Sequence, residues 1–62
     1  MGEAMTIQEA IKSGKPFKRP EFIWWVHAQG SLLNMFNEVR EDFIRFYATT
    51  QDILADDWEV KP

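Results

Sequence analysis

Apolar and polar positions follow two different rhythms along this chain. Ile7, Ala10 and Ile11 recur at helical spacing, which predicts a short helix of about two turns. Its start is marked by Thr6-Ile7-Gln8-Glu9, a capping box in which the Thr6 hydroxyl accepts the Glu9 amide and the Glu9 carboxylate accepts the Thr6 amide. Met5 and Ala10 sit at the staple positions around it. Lys12 suits the negative end of the helix dipole, and Ser13-Gly14 ends the helix because Gly14 can take the left-handed conformation. From Pro16 onward the rhythm changes. Pro16 and Pro20 bracket Phe17-Lys18-Arg19, and each proline removes a backbone donor, so the segment is predicted to be extended and an edge strand at best. Glu21 to Ala28 has period two, with Phe22, Trp24, Val26 and Ala28 on one side and Ile23, Trp25 and His27 on the other. Both sides are apolar, so the strand is either central or meets a partner on one face. Gln29-Gly30-Ser31 reads as a turn.

Residues 32–47 fit two templates. Leu32, Phe36, Val39, Phe43 and Phe46 fall on one face of a helix, with Asn34, Asn37, Glu38, Glu41, Asp42 and Arg45 opposite, an amphipathic pattern. Against this, Phe43-Ile44-Arg45-Phe46-Tyr47 is rich in residues that favour strands, and Asn37 to Asp42 can serve as a polar turn between two strands. Periodicity by itself favours the helix. Further on, Thr49 or Thr50 caps a second helical turn through Asp52-Ile53-Leu54-Ala55, with Asp52 near its positive end. Asp56-Asp57 breaks it, and Trp58-Glu59-Val60 closes as a strand with Trp58 and Val60 facing inward. Ile53, Leu54, Trp58 and Val60 together predict a C-terminus docked on the core. The expected fold is α+β: a short N-terminal helix, a small antiparallel sheet, a helical turn and a final strand, with a central amphipathic helix over 32–47 as the alternative.

Composition narrows the chemistry. The chain has 62 residues and no cysteine, which predicts one small domain and leaves out disulfides, thiolate metal sites and cysteine nucleophiles. A domain of about 60 residues buries only about 60% of the surface its unfolded chain exposes, so aromatic bulk and self-association are the expected remedies. The net charge of −3 argues against nucleic acid as a partner. Lys12, Lys15, Lys18 and Arg19 nevertheless form a run free of acids, whereas acids dominate the second half. No apolar run approaches the ~18 residues of a membrane span, and no signal-peptide layout is present, so an intracellular setting is expected. Residues 1–4 read as a disordered start, a vector remnant or an alternative start, because Met5 opens the better-formed sequence.

Several of these pieces also carry a resemblance. Ile7-Gln8-Glu9-Ala10-Ile11, Gly14-Lys15, Lys18-Arg19 and the stretch from Asp52 to Val60 resemble the small phage-encoded proteins of the Thoeris anti-defence two family and its phage and prophage relatives. The likeness covers both ends, roughly half of the chain, and the terminal motif is its most specific part. It implies strands near 32–37 and 43–48 in place of the central helix. It also implies a homo-oligomeric sponge, in the cytoplasm of an infected or lysogenic bacterial host, that sequesters an immune nucleotide signal related to cyclic ADP-ribose without cleaving it. The segment from Gln29 to Tyr47 has no counterpart in the family, and Pro20-Glu21-Phe22 stands where the family often has a tryptophan.

Candidate ligand-binding residues are therefore Lys15, Lys18, Arg19, Trp24, Trp25 and Asp57. The cations can hold phosphates, Arg19 through a bidentate fork, or they are simply a solvated edge that discourages strand pairing. Trp24 and Trp25 can stack a base, one from each face, or serve as core and subunit interface. Asp56, Asp57 and Glu59 can accept hydrogen bonds from ribose hydroxyls, or only cap and break the helical turn. His27 beside two tryptophans reads as a structural residue. No nucleophile, metal cluster or phosphate loop appears, so no catalytic residue, metal or cofactor is expected. The competing expectation is a phage protein that inhibits a host enzyme by direct binding or acidic mimicry.

Overall fold

The Thr6 capping box forms as its sequence predicts. Glu9 N–H donates to Thr6 Oγ1 at 3.3 Å and Thr6 N–H donates to Glu9 Oε1 at 3.0 Å, starting helix α1 (Ile7–Lys12). Gly14, at φ 75, turns the chain out of the helix. The computed structural model describes residues 5–62; the expectations for residues 1–4 lie outside the described residues. After α1 come β1 (Phe17–Lys18), β2 (Val26–Gln29), β3 (Leu32–Asn37), β4 (Asp42–Arg45), helix α2 (Thr50–Leu54) and β5 (Glu59–Val60). The five strands make one antiparallel sheet in the order β4-β3-β2-β1-β5. The fold is thus α+β.

The central segment is a hairpin, and the amphipathic-helix alternative over 32–47 is overturned. Gly30 at φ 63 lets Gln29 pair with Leu32, so β3 folds straight back on β2. At the other end Asn37 Oδ1 accepts the amides of Val39 and Arg40, both at 3.0 Å, a side-chain turn that competes directly with helix. Glu41 completes this loop at φ 55, a conformation costly for a residue with a side chain. Val39, which a helix would bury, stands exposed at the hairpin tip, while Phe36 and Phe43 become cross-strand neighbours.

Three further expectations change. The predicted strand over 21–28 begins only at Val26, because the Phe22 amide closes a turn onto the Arg19 carbonyl at 2.9 Å. β1 is not an edge: Phe17 pairs with Val26 on one side and Val60 on the other. Only two residues enter the ladder, and Pro16 joins through its carbonyl, which accepts the Lys61 amide at 2.8 Å; the missing proline donor is never called upon. Finally, Ile53 and Leu54 are exposed, so the C-terminus docks through Trp58 and Val60 instead.

That docking builds the core. Ile7, Ala10, Phe17, Val26 and Trp58 are buried, with Phe22, Leu33, Met35, Phe46 and Val60 packed around them. Trp58 meets Phe17 and Phe22 edge-on, at 5.7 and 5.6 Å between centroids, and its Nε1–H donates to the Asp52 carbonyl at 3.0 Å. Met5 receives the C-terminal stretch: its amide donates to Asp56 and its carbonyl accepts from Trp58, at 2.8 and 3.2 Å. Thr49 repeats the capping box at α2, exchanging bonds with Asp52. All of this lies on one face of the sheet. The opposite face carries the rest.

Candidate functional site

Strand alternation and register decide which side chains share the open face. Phe43 stands opposite Phe36, Asn34 opposite both His27 and Arg45, and Lys18 opposite Glu59. The Phe36 amide donates to the Trp25 carbonyl at 3.1 Å, extending the row one residue before β2. Directly opposed residues in an antiparallel ladder project to the same side. Phe43, Phe36, Trp25, Lys18 and Glu59 therefore form a single row across the sheet, with His27 in the row beside it.

This face holds a groove of about 330 Å³ whose walls are Trp25, His27, Phe36, Glu38, Phe43 and Lys61. That volume lies at the lower end of the ~300–1,000 Å³ typical of small-molecule sites. His27 stands edge-on to Phe43, with 5.3 Å between centroids and 89° between planes, and Phe36 and Phe43 are 5.0 Å apart. Two ammonium groups face the Trp25 ring, Lys18 Nζ at 5.2 Å and Lys61 Nζ at 5.9 Å from its centroid. Lys18 also pairs with Glu59 at 3.3 Å. The groove thus combines aromatic walls, cations at the β5 side and the Glu38 carboxylate at the β3–β4 side. A further cation on Trp25 would meet two like charges already there, so the chemistry favours an aromatic ligand with an anionic group.

The six residues singled out from sequence divide into separate places. Lys18 and Trp25 meet beside the groove: Trp25 is one of its walls, and the Lys18 ammonium faces the Trp25 ring without being a wall itself. Lys15 borders a second hollow with Ile11, Gly14, Pro16, His27 and Ala28. Trp24 is half-buried and is not among the lining residues of either hollow. Arg19 and Asp57 are bonded to each other, Nε to Oδ1 at 2.8 Å, while Arg19 Nη1 reaches Asp52 Oδ1 at 3.0 Å and Nη2 reaches Glu21 Oε1 at 3.0 Å. This network ties the segment after β1 to α2 and to the approach to β5. The hydrogen bonds it donates to Asp57, then to Asp52, hold the Arg19 guanidinium charged well above its ordinary range. The same bond is the main cause of the lowered Asp57 pKa. For Asp52, burial pushes the carboxyl up, but the Thr49 amide and the Arg19 guanidinium outweigh it and the net shift is downward. Arg19 and Asp57 are therefore engaged in holding the fold.

Sequence reading missed Phe36, Phe43, Glu38 and Lys61. For Phe36 and Phe43 the signal was present only in the period-two reading of 32–47, since a helical reading points both to the core. Among the described residues no group of three or more His, Asp or Glu is placed to hold a metal ion, and no helix is long and apolar enough to cross a membrane. Fold and site together define a small α+β domain with its core, including Ile7 and Ala10 of α1, on one sheet face and an aromatic, lysine-edged groove on the other. The chain matches no family model, no curated protein and no solved structure.

Proposed function

We propose that the protein is a non-catalytic binding module that captures an anionic nucleotide on the open face of its sheet. The observation that carries this reading is the groove itself, where Trp25, Phe36 and Phe43 offer ring faces and edges and Lys18 and Lys61 bring positive charge to one side. Stacking a base on an aromatic ring is worth ~1–3 kcal/mol, and lysine acts on phosphate as a mobile point charge. Glu38 supplies an acceptor for ribose hydroxyls. Taken with the resemblance of its two ends to anti-defence proteins, the module serves a phage by sequestering an immune nucleotide signal of the cyclic ADP-ribose kind in the cytoplasm of the infected host.

The reading includes a homo-oligomer. The Phe46 amide donates to the Leu33 carbonyl, so by alternation residues 42 and 44 also bond toward β3, and the amides and carbonyls of Phe43 and Arg45 point to the free edge. All four residues of β4 are exposed, with Phe43 and Ile44 on opposite sides of the strand. A second copy pairing antiparallel along β4 satisfies those groups and prolongs the groove. The competing reading, direct inhibition of a host enzyme, uses the same exposed edge without needing a small molecule.

Native mass spectrometry and thermal melting with AMP, ATP, ADP-ribose and cyclic ADP-ribose test the proposal together. A ligand at ~100 times its Kd adds about 2.7 kcal/mol, which in a domain this small raises Tm by roughly 10–20 °C. The ligand is expected back intact after denaturation. No shift with any of the four, or recovery of a cleaved product, refutes the reading.

A further inference from the structure

His27 borders two hollows at once. On one side it walls the aromatic groove; on the other it lines a smaller hollow of about 120 Å³ with Lys15, Gly14, Pro16, Ile11 and Ala28. The two compartments differ in chemistry. The first holds Trp25, Phe36 and Phe43, whereas the second is lined in part by Lys15 and, among the described residues, has no aromatic wall besides His27. Among the described residues Lys15 carries no ion pair, in contrast to Lys18, which is matched by Glu59. The Lys15 position is set locally: its amide donates to Ser13 Oγ at 3.2 Å, and Ser13 Oγ–H donates to the Ala10 carbonyl at 2.6 Å. Gly14 leaves open space at the wall, with nothing within 4 Å of where a Cβ would stand. At about 120 Å³ the hollow is the smaller of the two, and it has room for a tetrahedral oxyanion with bound water.

We propose that this second hollow is a phosphoryl subsite for the ligand whose ring lies in the aromatic groove. Lys15 supplies the charge, and the imidazole N–H of His27 donates to a phosphoryl oxygen from the shared wall. The ligand then runs across His27, its base against Trp25, Phe36 and Phe43 and its phosphate beside Lys15. Lys18 and Lys61 act on the ring side, where they flank Trp25. The proposal deepens the nucleotide reading and rests on it for the identity of the ring, while the anion preference of the small hollow stands on Lys15 and His27 alone.

The test separates the two. In ¹⁵N-labelled protein, inorganic phosphate alone is expected to move the amides of Gly14, Lys15 and Ala28 and to leave those of Phe36 and Phe43 in place; adenosine alone is expected to do the reverse. By calorimetry AMP binds more tightly than adenosine, and Lys15→Gln lowers AMP affinity by about tenfold or more, the weight of one lost charge-assisted contact, with adenosine unchanged. Lys15 is exposed, so the variant folds, and an unchanged Tm confirms it. If phosphate perturbs Gly14 and Lys15 while adenosine binds nowhere, the nucleotide reading fails and the anion subsite stands. If adenosine binds the groove but Lys15→Gln leaves the AMP-to-adenosine ratio as in the parent, the subsite is overturned. If phosphate and AMP both leave Gly14, Lys15 and Ala28 unmoved, it is overturned outright.

Discussion

Trp58→Phe isolates the contact that closes this fold. Trp58 is 2% exposed and sits edge-on to Phe17 and Phe22, so a phenyl ring at the same place keeps much of the aromatic contact. What it loses is the Nε1–H bond to the Asp52 carbonyl at 3.0 Å and the volume of the smaller indole ring. Leaving a buried carbonyl without its partner costs about 1–3 kcal/mol. The unfilled volume adds about 1 kcal/mol, a fraction of the ~3–5 kcal/mol seen when a whole tryptophan or phenylalanine is cut to alanine. The sum, about 2–4 kcal/mol, is comparable to the ~3–5 kcal/mol that a core this small supplies. A domain of this length loses about 4–8 °C in Tm per kcal/mol, so Trp58→Phe is expected to lower Tm by roughly 8–32 °C. Urea melts followed by the fluorescence of Trp24 and Trp25 measure the same loss as a lower midpoint at unchanged slope. A Tm within about 3 °C of the parent, on the same scale, refutes the view that Trp58 ties the C-terminal stretch to the core.

Other outcomes follow from single residues. Gly30→Ala places a side chain at φ 63 with open space around it, so the loss is conformational only, about 1 kcal/mol, read as a drop of several degrees in Tm. Glu41→Gly does the opposite at φ 55, relieving about 1 kcal/mol of left-handed strain against a smaller entropic cost in the unfolded chain; a melt shows whether stability rises. Glu9, Asp52 and Asp57 all have pKa values lowered by folding. Their stabilising contribution is therefore complete above the unfolded carboxylate range near ~4 and is lost as pH falls through the lower folded values. Urea midpoints from pH 7 to 2 are expected to stay level down to about pH 5 and then decline, with a shallower decline in Asp52→Asn. Trp25→Ala removes a stacking surface worth ~1–3 kcal/mol, so a nucleotide that binds the parent binds this variant about 5–150-fold more weakly by calorimetry.

Much of the fold is written locally. Thr6 and Thr49 begin their helices through side chains three residues apart from their partners, and Gly14 and Gly30 mark their turns by the one residue type free to adopt a left-handed backbone. Each such feature depends on a few neighbours in sequence, so a linear reading captures it. Residues 32–47 resisted because their apolar spacing satisfies a helix and a hairpin alike. The choice fell to the Asn37 turn and to β2, whose bonding groups required β3 beside them.

The candidate site belongs wholly to that second kind of decision. From the chain alone Lys18, Arg19 and Asp57 all stand as candidates, yet their fates differ once strands pair. Lys18 lies on the open face over Trp25, while Arg19 and Asp57 meet each other and Asp52 across the junction of β1, α2 and β5. Phe36 and Phe43 become groove walls only because register sets them opposite each other on the uncovered side, and Lys61 reaches Trp25 only because β5 returns beside β1. Capping and turns were determined by the sequence itself, since local sterics and hydrogen bonding act between near neighbours. Which charges pair and which rings face water was decided by strand register, which joins residues far apart in the chain.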